Sequence, residues 1–172
     1  MQNEMIGVAI DNAPKKQSEG DIKPQYLEAL TLIERLHRRL LDVIKDEFDR
    51  AGESEVNSVQ ALLLFNIGDD ELTAGELKTR GFYHGSNVSY NLKKLVDAGL
   101  VAHERSTTDR RSVRVKLTTR GQEIRGRVNK LYDRQMESIQ DLAGFDAAEL
   151  ERINSALTRL ERFWTDQILY RL

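Results

Sequence analysis

The chain has 172 residues, of which 40% are hydrophobic and 31% charged, a size and composition typical of one ordinary globular domain. Its longest apolar run is the five residues 61–65, too short to span a bilayer, and residues 1–16 lack the basic leader and apolar core of a secretory signal. The absence of cysteine excludes disulfides, thiolate metal sites and thiol chemistry, so we expect a cytoplasmic protein with no membrane association.

The formal net charge of −2 hides an uneven distribution along the chain. Residues 73–121 contain ten Lys and Arg against four acidic residues, a net charge of +6, whereas the rest of the chain carries 16 basic and 24 acidic residues, a net charge of −8. A basic middle in a weakly acidic protein indicates a localised anionic partner.

The N-terminal third of the chain predicts a tail followed by two helices. Residues 1–23 show no sustained period and are interpreted as a flexible tail. The alternative is a short strap that packs on a partner through Ile6, Val8 and Ile10. Apolar residues at every third or fourth position then predict a long helix over residues 24–51. A second helix follows through residues 56–67, and we expect Gly68 to end it in a left-handed conformation.

The basic middle predicts two helices and a hairpin. Thr73 and Glu76 have the spacing of a capping box, in which a hydroxyl and a carboxylate satisfy reciprocal backbone donors, so a short helix begins there. Residues 86–97 predict a second helix with one apolar face. Two alternating segments, 100–105 and 112–117, predict the strands of a hairpin with a polar, charged tip.

The C-terminal third predicts two further long helices within residues 119–171. Thr119 with Gln122, and Asp146 with Glu149, have capping-box spacing at their starts. The last helix carries an apolar stripe, and the first helix of the chain carries apolar residues on more than one flank. These long surfaces favour burial against a second copy of the chain, although they could instead fold back onto their own domain.

The order short helix, turn, polar-faced helix and basic hairpin is that of a winged helix-turn-helix, here over residues 54–121. The outward face of the helix over residues 86–97 offers groups that pair with base edges and phosphates. The alternative for this helix alone is a solvated, lysine-bearing surface. The candidate recognition residues are Ser86, Asn87, Ser89, Tyr90, Lys93 and Lys94.

The hairpin tip places an acidic residue beside two arginines. The carboxylate can fix one guanidinium while the other stays available for a narrow minor groove, whose negative potential attracts arginine. The alternative is a tip made soluble by its charges. The candidate wing residues are Arg105, Asp109, Arg110, Arg111 and Arg114.

These residues resemble the MarR family of transcriptional regulators. Asp109-Arg110-Arg111, five further residues, Leu117-Thr118, two more and Gly121 match the family's wing signature, D-x-R-x5-L-T-x-x-G. SNVSYNLKKLVDAGLVAHERS resembles the family's recognition helix and first wing strand, and LTAGELKTRG resembles the helix before it. The helical order and length fit the family over residues 24–171.

The resemblance implies an obligate homodimer that binds a palindromic operator, with dimerisation helices at residues 24–51 and 119–171 of a single domain over residues 24–172. Members are mostly repressors, and many are released by a phenolic or other anionic aromatic ligand. Two features depart from the family. The turn over residues 82–85 is more aromatic than usual, and the lack of cysteine excludes the family's thiol-based oxidation sensing.

A small aromatic or anionic effector is expected to bind where the first two helices meet the winged lobe. The alternative is that these side chains only pack in the structure. The candidate residues are His37, Arg38, Phe65, Asn66 and Tyr83.

Catalysis has little support in the sequence. The three histidines, at positions 37, 84 and 103, lack a metal-ligand spacing, and no P-loop, dinucleotide fingerprint or nucleophile elbow is present, so we expect no enzyme, metal or cofactor. The sequence therefore predicts a mainly α-helical, homodimeric, sequence-specific regulator of double-stranded DNA, most consistent with a repressor. The alternatives are a winged-helix protein-interaction module and a nonspecific DNA-binding protein.

Overall fold

The computed structural model describes residues 21–79, 85–105 and 113–170, and it confirms a mainly α-helical chain with a small antiparallel sheet. No helix among these residues is both long enough and apolar enough to cross a membrane. The helices are α1 (Ile22–Arg50), α2 (Ser58–Ile67), α3 (Ala74–Thr79), α4 (Gly85–Asp97), α5 (Thr119–Ala143) and α6 (Ala147–Tyr170). The strands are β1 (Leu72–Thr73), β2 (Val101–Arg105) and β3 (Val113–Leu117).

The chain divides into two compact units, Met1–Arg39 and Leu40–Leu172. The described part of the first unit is the N-terminal portion of α1, which begins two residues before the predicted boundary and whose first turn is held by the Lys23 amide donating to Asp21 Oδ1 at 3.1 Å. Leu30 and Ile33 of this portion are half-buried, and its exposed large apolar side chains are Ile22, Tyr26, Leu27, Leu32 and Leu36.

The core of the second unit is built around α2. Four consecutive residues of this helix, 61–64, are buried together with Ile67, so apolar side chains on more than one side of α2 enter the core. It packs along α5, whose inward side chains Ile124, Val128 and Leu131 are also buried. These two helices form the layer on which the smaller elements rest.

The ends of α2 differ from the sequence expectation. The helix begins after Asn57, whose side chain accepts from the Gln60 amide at 2.9 Å while Gln60 Oε1 accepts from the Asn57 amide at 3.1 Å. Residue 56 therefore precedes the helix instead of belonging to it. Gly68 ends the helix with a positive φ of 66°, as predicted, although its ψ of −142° differs from that of a left-handed helix.

The sheet has three strands in the order β1-β3-β2, one more than the predicted hairpin. The hairpin register pairs His103 with Val115 and Arg105 with Val113, and Leu72 of β1 pairs with Val115 from the other side. A strand of two residues is too short to display the alternation by which strands are detected in a sequence, which is why β1 was missed.

Two of the three predicted helix caps are present and one is displaced. The amide of Thr73 donates to Glu76 Oε2 at 2.6 Å and the amide of Glu76 donates to Thr73 Oγ1 at 3.1 Å, as a capping box requires. Asp146 Oδ1 accepts from the Glu149 amide at 2.7 Å at the start of α6. The cap of α5, however, is Thr118 and not Thr119.

The start of α5 lies tightly against the turn that follows α4. Thr118 Oγ1 accepts from the Gly121 amide at 3.1 Å and donates to the Gly99 carbonyl at 2.8 Å, and the Thr118 amide donates to the Leu100 carbonyl at 3.1 Å. A Cβ at residue 121 would lie 2.1 Å from Leu100 O, so the backbones meet where Gly121 has no side chain.

Gly121→Ala is expected to destabilise the fold strongly, because the new methyl would overlap a backbone carbonyl that cannot rotate away. We expect the free energy of unfolding to fall by roughly 3 kcal/mol, measured by urea denaturation. Gly126→Ala is the matched control on the same helix, since a Cβ there meets nothing within 4 Å. It should stabilise the fold by about 0.5–1 kcal/mol, and equal effects at both sites would contradict the close approach.

Candidate nucleic-acid interface

Helix α4 has one face fixed in the core and the other in solvent. Val88, Leu92 and Leu95 are 0%, 6% and 1% exposed, so burial determines how the helix is rotated about its axis. The predicted recognition side chains that the structure describes are all exposed, namely Asn87, Ser89, Tyr90, Lys93 and Lys94. The remaining one, Ser86, belongs to α4 by its backbone, and its side chain lies outside the described part.

The outward face of α4 is polar and cationic with one aromatic ring. Tyr90 is 62% exposed, and Lys94 Nζ lies 5.8 Å from the centroid of its ring, within the range of a cation–π contact. The Asn91 side-chain amide donates to the Asn87 carbonyl at 2.9 Å, one turn back. The Asn91 amide group is therefore held against the helix, whereas the side chain of Asn87 extends into solvent.

The N-terminal end of α4 carries no acidic residue in its first turn. Free backbone amides and the helix dipole give such an end a partial positive charge that favours phosphate. Asn87 lies in this first turn, so an anion bound there would be close to a side chain able to pair with a base edge.

The wing is only partly within the described residues. Arg114 on β3 is exposed and stands opposite Glu104 of β2 in the hairpin register. The backbone of Arg105 ends β2, but its side chain is outside the described part. Asp109, Arg110 and Arg111 also lie outside the described residues, so their role at the tip stays a prediction.

Two of the cations counted in the basic middle have acidic partners. Arg120 makes a salt bridge with Glu55 and also donates to the Ala98 carbonyl at 3.2 Å, and Lys116 Nζ lies 3.7 Å from Glu71 Oε1. These pairs join residues far apart in the chain, so no sequence pattern could reveal them. Within the described part of this region, Lys93 and Lys94 of α4 and Arg114 of β3 remain as exposed cations.

Helix α5 carries three more arginines that pair with acidic residues of other elements. Arg125 lies 2.6 Å from Asp69, and Gln122 also donates to Asp69 at 3.2 Å. Arg134 lies 2.6 Å from Glu47 and Arg127 lies 3.8 Å from Glu53. Sequence reasoning missed this series, which ties α5 to α1 and to the loops beside α2.

A cleft of about 480 Å³ opens between α4 and the hairpin. Its apolar wall is formed by Leu92, Val96 and Val115, and its polar groups include His103. Ser89 and Lys93 border both this cleft and the outward face of α4. Sequence reasoning did not identify the cleft, because it forms where a helix meets strands that follow later in the chain.

The residues of the predicted effector pocket have diverse surroundings. His37 and Arg38 are exposed on α1, within the unit Met1–Arg39. In the other unit, Asn66 is half-buried and Phe65 packs edge to face against Tyr132, with ring centroids 4.9 Å apart. Burial raises the pKa of the Tyr132 phenol. Tyr83 lies outside the described residues, and the effector pocket stays a prediction.

Comparison with known proteins identifies the family. A model of the MarR family matches residues 54–112, the segment that holds α2 to α4, the first wing strand β2 and all of the residues between β2 and β3. The exopolysaccharide II synthesis transcriptional activator ExpG of Rhizobium meliloti (strain 1021) is 31% identical over 171 residues, covering 98% of this chain and 86% of that protein.

Solved structures share the fold. A mutant of MarR from E. coli complexed with operator DNA has a TM-score of 0.64 at 21% identity, covering 81% of this chain and 98% of that chain. Streptococcus pneumoniae FabT in complex with DNA has a TM-score of 0.61 at 22% identity, covering 82% of this chain and 98% of that chain. Together with the relative that matches nearly the whole length, these comparisons establish that the chain belongs to the MarR family of transcriptional regulators.

Proposed function

We propose that the chain is a sequence-specific regulator that binds a palindromic site in double-stranded DNA as a homodimer. The observation that carries this proposal is the outward face of α4, where Tyr90, Lys93 and Lys94 are exposed on a helix whose opposite face is locked in the core. A helix of this width fits the major groove of B-form DNA, where every base pair presents a distinct pattern of donors and acceptors.

Affinity and selectivity are assigned to different side chains of this face. Lys93 and Lys94 neutralise phosphates or approach guanine edges, while Asn87 and Ser89 offer the hydrogen bonds that distinguish bases. The N-terminal end of α4, with no acidic residue in its first turn, favours a nearby phosphate. A sequence-specific DNA-binding helix requires both phosphate contacts for affinity and base contacts for selectivity.

The wing is proposed to contact DNA beside the recognition helix. Arg114 is exposed on β3, and the resemblance of the segment Asp109-Arg110-Arg111 to the family's wing signature supports a contact with the adjacent minor groove or its phosphates. Lys116 and Arg120 are assigned no contact with DNA, because each already has an acidic partner.

Dimerisation is proposed through the terminal helices. Helix α6 has 24 residues, and none of its side chains is fully buried against the part of the chain that the structure describes. An amphipathic helix of that length is stable when its apolar stripe is covered, and a second copy of the chain covers it symmetrically. Its large exposed apolar side chains are Ile153, Leu157, Phe163, Ile168, Leu169 and Tyr170.

A twofold dimer presents two α4 helices to successive major grooves, with half-sites about 34–36 Å apart on one face of the duplex. A palindromic operator then matches the symmetry of the protein. A protein-interaction module, the alternative function, would not require exposed cations on both α4 and the adjacent strand. Release by a small effector, as the family resemblance implies, stays a prediction.

The sign of regulation is proposed to depend on the position of the operator. The family resemblance implies repression, whereas the relative ExpG is named an activator. A dimer bound across the promoter excludes polymerase, and one bound upstream leaves the promoter accessible. We therefore expect transcription in vitro to fall when the selected operator overlaps the promoter; unchanged transcription at full operator occupancy would contradict this.

Sequence-specific binding is tested by selection from a random duplex library, followed by salt titration of binding to the selected duplex. We expect a palindromic winner and affinity that falls steeply with salt. Lys93→Ala should weaken binding to all duplexes and reduce the slope of log K against log salt by about 1 for each lysine lost.

Lys130→Ala is the matched control for this experiment, because Lys130 is an exposed lysine on α5 away from the recognition face. It should leave both the affinity and the salt slope unchanged. No enrichment of any sequence, or identical slopes for the two lysine variants, would contradict the assignment of α4 as the reading element.

The dimer is tested with Leu157→Asp, which places a carboxylate in the apolar stripe of α6. Light scattering coupled to size exclusion should show twice 19.7 kDa for the native chain and 19.7 kDa for the variant, because burying an unpaired charge opposes association. The variant should also lose most of its operator affinity, since a monomer contacts one half-site.

Ser155→Asp is the matched control for Leu157→Asp. Residue 155 is exposed and lies about 160° around the helix from residue 157, outside the apolar stripe. This variant should remain dimeric. A native chain that is monomeric at the concentrations where it binds the operator would contradict the proposed interface.

A further inference from the structure

Tyr90 occupies the middle of the outward face of α4. At about 100° per residue it lies roughly 160° from Val88, the side chain that is fully buried on the opposite face. Asn87 and Lys93 flank it at three residues and Lys94 at four, so polar and cationic neighbours surround it. Single exposed aromatic residues are common on protein surfaces, and it is this central position that gives Tyr90 a particular role.

The Tyr90 ring and the Lys94 ammonium are already associated in the free chain. Lys94 Nζ lies 5.8 Å from the ring centroid, where the negative face of the ring attracts a cation. The ring is 62% exposed, so this contact leaves much of its apolar surface open. The pair thus offers one apolar surface and one positive charge side by side.

The floor of the major groove has a single apolar group, the C5-methyl of thymine. An exposed ring at the centre of a helix in that groove is suited to contact this methyl, and an adjacent ammonium is suited to the N7 and O6 acceptors of a neighbouring guanine or to a phosphate. The remaining described candidates on this face, Asn87, Ser89 and Lys93, read hydrogen-bond patterns or charge.

We propose that Tyr90 is a specificity-determining residue that reads one thymine in each half-site by packing its ring against the C5-methyl, with Lys94 held beside it. The inference rests on the proposed DNA-binding function and adds to it the base and the chemical group that are recognised. Uracil differs from thymine only in lacking this methyl and keeps the same base pairing and O4 acceptor. Replacing thymine by uracil therefore removes the proposed contact alone.

The test uses the full chain and the duplex obtained by selection. Each thymine is replaced by deoxyuridine in turn, symmetrically in both half-sites, and the dissociation constant is measured by fluorescence anisotropy. One symmetric pair of replacements should weaken binding roughly 15-fold, because each buried methyl contributes about fourfold and each protomer contacts one. The other thymines should change the affinity less than twofold.

Three variants connect this loss to the Tyr90 ring. Tyr90→Ala should bind the thymine and uracil duplexes with equal affinity, whereas Tyr90→Phe should keep the full difference because the ring is retained. Lys93→Ala, on the same face, should weaken binding to both duplexes and leave their ratio unchanged. Melting curves followed by circular dichroism confirm that each variant is folded, as expected for exposed positions.

Failure of this inference is distinct from failure of the proposed function. Tight, selective binding to a duplex in which no thymine-to-uracil replacement matters would overturn the role of Tyr90 and leave the regulator intact. A thymine preference that persists in Tyr90→Ala would do the same, since another residue would then read the methyl. Absence of selective binding to any duplex would overturn both.

Discussion

The close contact between the start of α5 and the turn after α4 anchors the C-terminal end of the proposed recognition helix. Thr118 is bonded to both Gly99 and Leu100, and the missing side chain of Gly121 lets the two backbones meet. Because α4 ends at this turn, the contact fixes the C-terminal end of α4 against the start of α5, while α3 and β2 pack along the helix. In a dimer held by the terminal helices, the same contact would set the distance between the two reading helices, which must match the repeat of the duplex.

Salt bridges make the surface proposed to bind DNA differ in charge from the rest of the second unit. Arg120 and Arg125 of α5 have carboxylate partners, and their surface salt bridges contribute little stability one by one. The larger effect of these salt bridges is on the electrostatic field around the protein, because an arginine paired with a carboxylate adds little net charge. The exposed cations Lys93, Lys94 and Arg114 would then favour the encounter of the proposed reading face with the DNA polyanion.

Much of the fold could be predicted from the sequence because its signals are local. Helical periodicity and cap residues such as Thr73 and Asp146 predicted six helices, and alternation predicted the hairpin. The sequence could not reveal features that depend on contacts between distant segments, including β1 and the partners of Lys116. The cap of α5 was misplaced by one residue because Gln122 gives Thr119 the spacing of a capping box, whereas the capping hydroxyl is that of Thr118, which is bonded to Gly121 and Gly99. The outward face of α4 could be predicted from the spacing of its apolar residues. The association of Tyr90 with Lys94 could be seen only in the three-dimensional structure.

Two α4 helices of one dimer are proposed to read two successive major grooves. Hydroxyl-radical and base-methylation footprinting of the selected duplex test this arrangement most directly, because together they locate contacts on both the backbone and the groove floor. If the two helices bind in this way, guanine N7 is protected in two symmetric segments, centred about 10–10.5 base pairs apart on one face of the duplex. A single protected segment, or uniform protection without that spacing, would contradict it.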